Sequence, residues 1–228
     1  MLTDIIRNGF SMSTLVSLLA RVFVVFCTLP VHEFAHAYTA TKLGDDTARL
    51  KGRLTLNPLA HLDIIGSIMI LLVGFGYAKP VPVNARNFKN PKAGMAITAA
   101  AGPLSNLIMA LFFCILHSAF LIYYARSGQI FANVAYLFFY FAAYVNVTLG
   151  IFNLIPIPPL DGSRILNLFL PSEIYFKLMR YERYIMLGVL VLLFTGILTT
   201  PLAFISGAVL KGIMALAQLP FKAFGLMA

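Results

Sequence analysis

His32, Glu33 and His36 stand in one pentapeptide, His-Glu-Phe-Ala-His. On a helix, residues four apart share a face, so the two imidazoles point the same way. Two imidazoles at that spacing can bind one zinc ion, with the intervening glutamate beside it as general base for a hydrolysis. The pentapeptide closes an almost wholly apolar run that begins near Ser11. An ionisable side chain at mid-bilayer costs about 2.5 kcal/mol or more, so such groups in an apolar helix mark function. Two core histidines beside a surface glutamate would be the ordinary account in a soluble chain, and composition argues against a soluble chain.

Of 228 residues, 60% are hydrophobic and 11% charged, where a soluble domain carries about 25% charged residues. The chain is therefore expected to be an all-α polytopic membrane protein of about five to six transmembrane helices. It reads as one domain over 1–228, with a catalytic core at about 11–170 and accessory helices at about 176–228. The net charge of +9 is assigned to basic loops that set topology and meet anionic lipid headgroups. Nucleic acid is not an expected partner, because no basic run alternates with exposed aromatics. Cys27 and Cys114 form no CxxC and no evident disulfide, and neither is expected to hold zinc. The N-terminus has no basic region followed by a small-residue cleavage site, so no removable signal peptide is expected.

Five long apolar segments must position the pentapeptide: A from about Ser11 to Thr41, C from Gly94 to Ala125, D from Ile130 to Ile155, E from about Tyr184 to Thr200, and F from Leu202 to Leu219. Lys211 interrupts the last. A shorter piece, B, lies between Leu62 and Tyr77. Basic residues crowd the stretches 42–53, 79–92 and 164–183, which the positive-inside bias places in the cytoplasm, with the N-terminus outside. Both flanks of B are basic and B is short for a span of about 20 residues, so a re-entrant element is expected, with an extra span as the alternative. Leu50–Asn57 and Lys79–Asn84 read as short extended pieces, since Pro80 and Pro82 forbid helix in the second. Extended backbone beside a site could offer an edge to a substrate peptide, or could be an ordinary loop.

A hydrolytic zinc site needs three protein ligands and an open position. Segment D ends in Asn153-Leu-Ile-Pro-Ile-Pro-Pro-Leu-Asp161-Gly162, a helix break in a membrane-embedded setting. Asp161 is the best third ligand, because the ends of A and D share the cytoplasmic side in this topology. Asp45, Asp46, Glu173 and Glu182 lie in polar stretches and are expected to be solvated. His61 and Asp63 open segment B and are expected in caps or loop hydrogen bonds, with His61 a lesser candidate for the metal or its surround. His117 is expected to bond a neighbouring helix. Ala99, Ala101, Gly102 and Ser105 are small residues that let helices approach closely, and Asn106 among them must find a hydrogen-bond partner. Arg21, inside segment A, must snorkel or face other helices.

These motifs together resemble the site-2 proteases, intramembrane zinc metalloproteases. The resemblance rests on the pentapeptide at 32–36, Ala101-Gly-Pro-Leu-Ser-Asn106, and the 153–162 motif, with Lys79-Pro-Val-Pro-Val-Asn84 pointing to the short branch of the family. It covers about the first 165 residues. It implies His32, His36 and Asp161 as ligands of one Zn2+ per chain, Glu33 as catalytic acid/base, and Asn153 as a residue holding the substrate carbonyl. The chain lacks the PDZ and CBS domains of larger members, so their regulation does not carry over. The expected activity is hydrolysis of a peptide bond in or near a transmembrane segment of a membrane-protein substrate. A transporter or metal carrier built on the same His/Glu/Asp cluster is the alternative, against which stands the lack of an inverted repeat. A non-catalytic scaffold would not require all four residues. The expected location is a bacterial plasma membrane, with the site toward the cytoplasm. Substrate identity and oligomeric state are not legible.

Overall fold

In the computed structural model, which describes residues 11–72 and 78–226, the chain is built of helices and connecting loops, with no strand among those residues. Helix α1 (Met12–Phe23) is capped by Ser11, whose hydroxyl accepts from the Thr14 N–H. It runs through a five-residue π segment, Val24–Thr28, into α2 (Leu29–Lys42). The cause is Pro30. Proline lacks an N–H and its ring crowds the carbonyl four residues back, and a wide turn relieves both. The Leu29 N–H bonds to Val24, five residues back, and the Thr28 hydroxyl donates to the same carbonyl. From Met12 to Lys42 the element is 31 residues, long and apolar enough to cross a membrane.

Three more helices meet that standard: α5 (Pro91–Ser127), α6 (Ile130–Leu154) and α10 (Thr199–Ala223). Between α2 and α5 lie α3 (Thr47–Leu50) and α4 (Ile64–Leu72), and between α6 and α10 lie α7 (Asp161–Leu166), α8 (Ser172–Arg180) and α9 (Glu182–Phe194). Asn90 caps α5 with Pro91 at its first turn, and Gly128, at φ 64°, ends it and turns the chain into α6. The two helices pack through small residues. A Cβ at Gly150 would lie 3.3 Å from the Pro103 carbonyl oxygen and 3.5 Å from Asn106 Cβ. Phe113, Cys114, Ala142, Ala143 and Val147 form the centre of the core, against Ala20 and Leu210.

Segments A, C, D and F thus become long helices within a few residues of their expected ends. Segment E differs. It is helical for 13 residues, about 20 Å at about 1.5 Å each, and Gly196, at φ 85°, breaks it before α10. Of the five long segments, four are therefore candidate spans, and E is short of the bilayer core of about 30 Å.

Segment B returns on itself. Its described part, α4, is nine residues, while 73–77 lie outside the described residues. The Lys79 N–H donates to the His61 carbonyl at 2.9 Å, so the chain leaves the element where it entered. This is the re-entrant arrangement, and the extra-span alternative does not fit it. Arg21 meets the element from α1, its guanidinium donating to the Ile70 and Leu71 carbonyls at 3.3 and 3.5 Å. The two stretches expected to be extended form no strand. Leu50 closes α3, while 79–84 is free of helix, as its prolines require.

Candidate metal centre

Helix α2 carries His32, Glu33 and His36 on a buried face, with the three residues 3, 7 and 7% exposed. Thr98 of α5 orients one imidazole. Its main-chain carbonyl lies 2.7 Å from His36 Nδ1, and since a carbonyl only accepts, Nδ1 carries the proton and Nε2 is left with its lone pair. The loop after α6 brings in the third group. Gly162 makes this approach: a Cβ there would collide with the Leu154 and Ile155 carbonyls, so only glycine lets α7 start against the end of α6. Asp161, the first residue of α7, then projects its Oδ2 to 3.4 Å from His32 Nε2 and 3.3 Å from His36 Nε2, and the two imidazole nitrogens are 3.0 Å apart.

The two carboxylate–imidazole separations match those of a zinc site, and the imidazole pair stands about 0.3 Å closer. A tetrahedral site with bonds of about 2.0–2.1 Å holds its donors about 3.3–3.4 Å apart. The donor set of two imidazoles and one carboxylate suits zinc, and all three atoms lie within 4.8 Å of one another. The remaining ring nitrogen, His32 Nδ1, is buried and has no hydrogen-bond partner among the described residues. Gly102 of α5 sits directly against the two rings, where a Cβ would collide with both.

The triad opens onto a cavity of ≈ 380 Å³. Glu33 and Asn153 line it with the triad, as do Pro80, Val81 and Val83 from the loop after the re-entrant element. Met186, Val189, Leu190 and Leu193 of α9 cover it from the region expected to be accessory. All five site residues named from sequence are therefore at one cavity. Glu182 also lines it and is only partly exposed, so the expectation of a simply solvated side chain does not hold for this acid.

Asp45 corrects the sequence reading more sharply. Expected in solvent, it is 0% exposed. Its Oδ1 accepts from the Thr47 N–H, the Thr47 hydroxyl and Asn87 Nδ2, and its Oδ2 from the Asn84 N–H. Burial alone would raise its pKa, but these hydrogen bonds from Thr47, Asn84 and Asn87 hold the carboxyl below its ordinary value of 3.8. Asp46 is exposed and pairs with Arg49 at 2.8 Å. His61 is not at the metal centre. It is fully buried in the loop, its Nε2 donating to the Thr55 carbonyl at 2.7 Å and its Nδ1 facing Arg53 at 3.4 Å. Asp63 caps α4 through the Gly66 N–H at 2.9 Å. His117 donates from Nδ1 to the Tyr136 carbonyl on α6. Asn106 is buried between α5 and α6 beside Gly150 and is not among the cavity-lining residues. Cys27 and Cys114 are free thiols outside the triad.

Sequence reasoning missed Gly102 and Thr98 as supports of the imidazoles. Gly102 was legible only as a small residue for helix packing, and a main-chain carbonyl leaves no residue-type signal at all.

Residues 20–196 match the family model of peptidase family M50. The chain is 42% identical over 174 residues to "Putative zinc metalloprotease YwhC" of Bacillus subtilis, a match covering 76% of this chain and 80% of that protein. It is 30% identical over 182 residues to "Putative zinc metalloprotease Rip2" of Mycobacterium tuberculosis, covering 76% and 68%. It is 31% identical over 158 residues to "Putative zinc metalloprotease MJ0611" of Methanocaldococcus jannaschii, covering 68% and 74%. No solved structure gives a significant match.

Proposed function

The chain belongs to peptidase family M50 and is an integral membrane zinc metalloprotease of the site-2 type, and from that premise we propose that it hydrolyses a peptide bond in or near a transmembrane segment of a membrane-protein substrate. His32, His36 and Asp161 hold the zinc, Glu33 is the catalytic acid/base and Asn153 binds the substrate carbonyl. The observation that carries this reading is the convergence of two imidazole nitrogens and a carboxylate oxygen on one cavity shared with Glu33 and Asn153.

When bound, the zinc supplies Lewis acidity, lowering the pKa of water and polarising the scissile carbonyl. Glu33 accepts a proton from the attacking water as its oxygen bonds to the carbonyl carbon. The Asn153 amide donates to the carbonyl oxygen, where negative charge develops. As the carbon–nitrogen bond breaks, Glu33 returns the proton to the leaving amine. His36 is kept in the required tautomer by Thr98 throughout. The apolar cavity wall limits the water that reaches the groups.

The substrate's own helix buries its amides in hydrogen bonds, so it must open locally before attack. The opened strand would lie along residues 81–83, whose main-chain groups have no hydrogen-bond partner among the described residues. Basic stretches at 42–53, 79–92 and 164–183 support a site on the cytoplasmic side of a bacterial plasma membrane, with anionic lipid around it. The functional core at about 11–170 would then be covered by the helices at about 176–228.

The test is zinc content and cleavage of a synthetic peptide containing one apolar helix, measured for wild type, Glu33→Gln and Asp161→Ala. Near-stoichiometric zinc in wild type and Glu33→Gln, marked loss in Asp161→Ala, and cleavage by wild type alone are expected. Zinc retained in full by Asp161→Ala overturns the ligand assignment. Cleavage by Glu33→Gln overturns the acid/base role, whereas zinc-loaded wild type that cleaves no such peptide favours the carrier reading.

A further inference from the structure

The cavity wall formed by Pro80, Val81 and Val83 belongs to no helix, yet it is tied at three places. Along its middle, Val81 packs with Ala37 and Ala48, so the wall rests on the residue that follows His36. At its first end, the Arg53 guanidinium donates to the Lys79 carbonyl at 2.6 Å and to the Pro80 carbonyl at 3.3 Å. At its far end, Asp45 Oδ2 accepts the Asn84 N–H at 2.7 Å. Both charged residues are buried, Arg53 at 9% and Asp45 at 0% exposure. They form no ion pair with one another among the described residues. Each instead reaches main-chain groups of the same short stretch from an opposite end, Arg53 the Lys79 and Pro80 carbonyls and Asp45, through Oδ2, the Asn84 N–H.

We propose that Asp45 and Arg53 are positioning residues for the substrate, fixing residues 80–83 against the metal-bearing helix so that an extended substrate backbone can be laid along them. This rests on the proteolytic reading above. A buried charge held by several hydrogen bonds defines one geometry, because losing any partner strands a polar group away from water. Pro80 and Pro82 remove two N–H donors, leaving those of Val81 and Val83 as the amides a substrate can engage.

Asp45→Asn separates this role from general support. The new amide can keep its oxygen toward Thr47 and Asn87, but its NH2 then faces the Asn84 N–H, donor against donor. Only the tie to the wall is cut. Arg53→Gln cuts the other end. With a synthetic peptide of one apolar helix carrying a Gly-Pro pair as probe, each variant should raise KM about tenfold and change kcat less than about threefold, with zinc content unchanged. In the substrate-free protein, hydrogen exchange at the wall's bonded end amides should quicken, that of Asn84 in Asp45→Asn and that of Lys79 in Arg53→Gln, while that of α2 does not. Unchanged exchange at the wall overturns the proposal, as does loss of zinc together with kcat, which would make both residues supports of the metal helix. If wild type fails to cleave the probe, the proteolytic reading is what fails, and the exchange experiment alone then decides whether the ties hold the wall.

Discussion

The His36 ring is bonded to the main chain of Thr98, Nδ1 to carbonyl oxygen, across 2.7 Å. The bond joins α2 to α5, so the metal centre is held by a helix that contributes no ligand to it. Such outer partners fix ring orientation and raise ligand basicity, and losing them typically lowers metal affinity about 10- to 100-fold. One turn along from Thr98 on the same helix, Gly102 presses on the rings of both histidines.

Gly102→Val should therefore act as a metal-site mutation from outside the ligand set. The added side chain has to push the imidazoles aside, and zinc affinity should fall by about 10- to 100-fold. Gly212→Val on α10 is the control, since a Cβ there meets nothing within 4 Å. Zinc titration of the two purified variants checks this. Equal affinity in both would show that the helices move apart without disturbing the histidines.

Asp45 gives the fold an acid-sensitive tie. Its folded pKa lies below its ordinary value of 3.8. A group with a depressed folded pKa contributes stability that is fully present above the unfolded value and is lost as pH falls through the folded one. Thermal midpoints in detergent should therefore drop between about pH 5 and about pH 3 by more in wild type than in Asp45→Asn, which has no carboxyl to titrate. Parallel slopes in the two proteins would mean that other acids carry the whole effect.

Opening of the substrate helix is the remaining expectation about the reaction. A peptide with helix-breaking residues near its cytoplasmic end should be cut faster than one in which alanine or leucine replaces them, since glycine and proline each cost a helix about 1–3 kcal/mol relative to alanine. Rates can be compared by mass spectrometry on paired peptides in one vesicle preparation. Equal rates would show that unwinding is not needed before attack.

The metal centre was legible because its chemistry is written in residue types that an apolar chain does not otherwise carry. Two histidines four apart name a helix face, and Asp161 after a run of prolines names a helix break at membrane depth. The re-entrant element was legible from charge on both flanks. Asp45 was not. In sequence it stands in Gly44-Asp45-Asp46-Thr47, which reads as a solvated turn. Its burial depends on Asn84 and Asn87, about forty positions away, whose approach no local pattern reports. The shortness of segment E was hidden for a different reason. Its apolar run continues through Leu198 with Gly196 inside it, and only the positive φ at that glycine shows that the helix stops.

The π segment in the first membrane helix also settles a matter of phase. Val16, Ala20, Val24, Thr28, His32, His36 and Ala40 are all buried, a row at steps of four residues. On an unbroken α-helix such a row slips about 40° per step, about 240° over its length, and would wind from the protein side into lipid. One extra residue taken into the wide turn sets everything after it back by about 100°. The packing surface of the first half and the surface that carries His32 and His36 in the second are thereby brought toward the same side of one helix. Pro30, by forcing that turn, acts on the candidate metal centre as a timing mark acts on a gear: it decides which tooth of the helix meets Asp161.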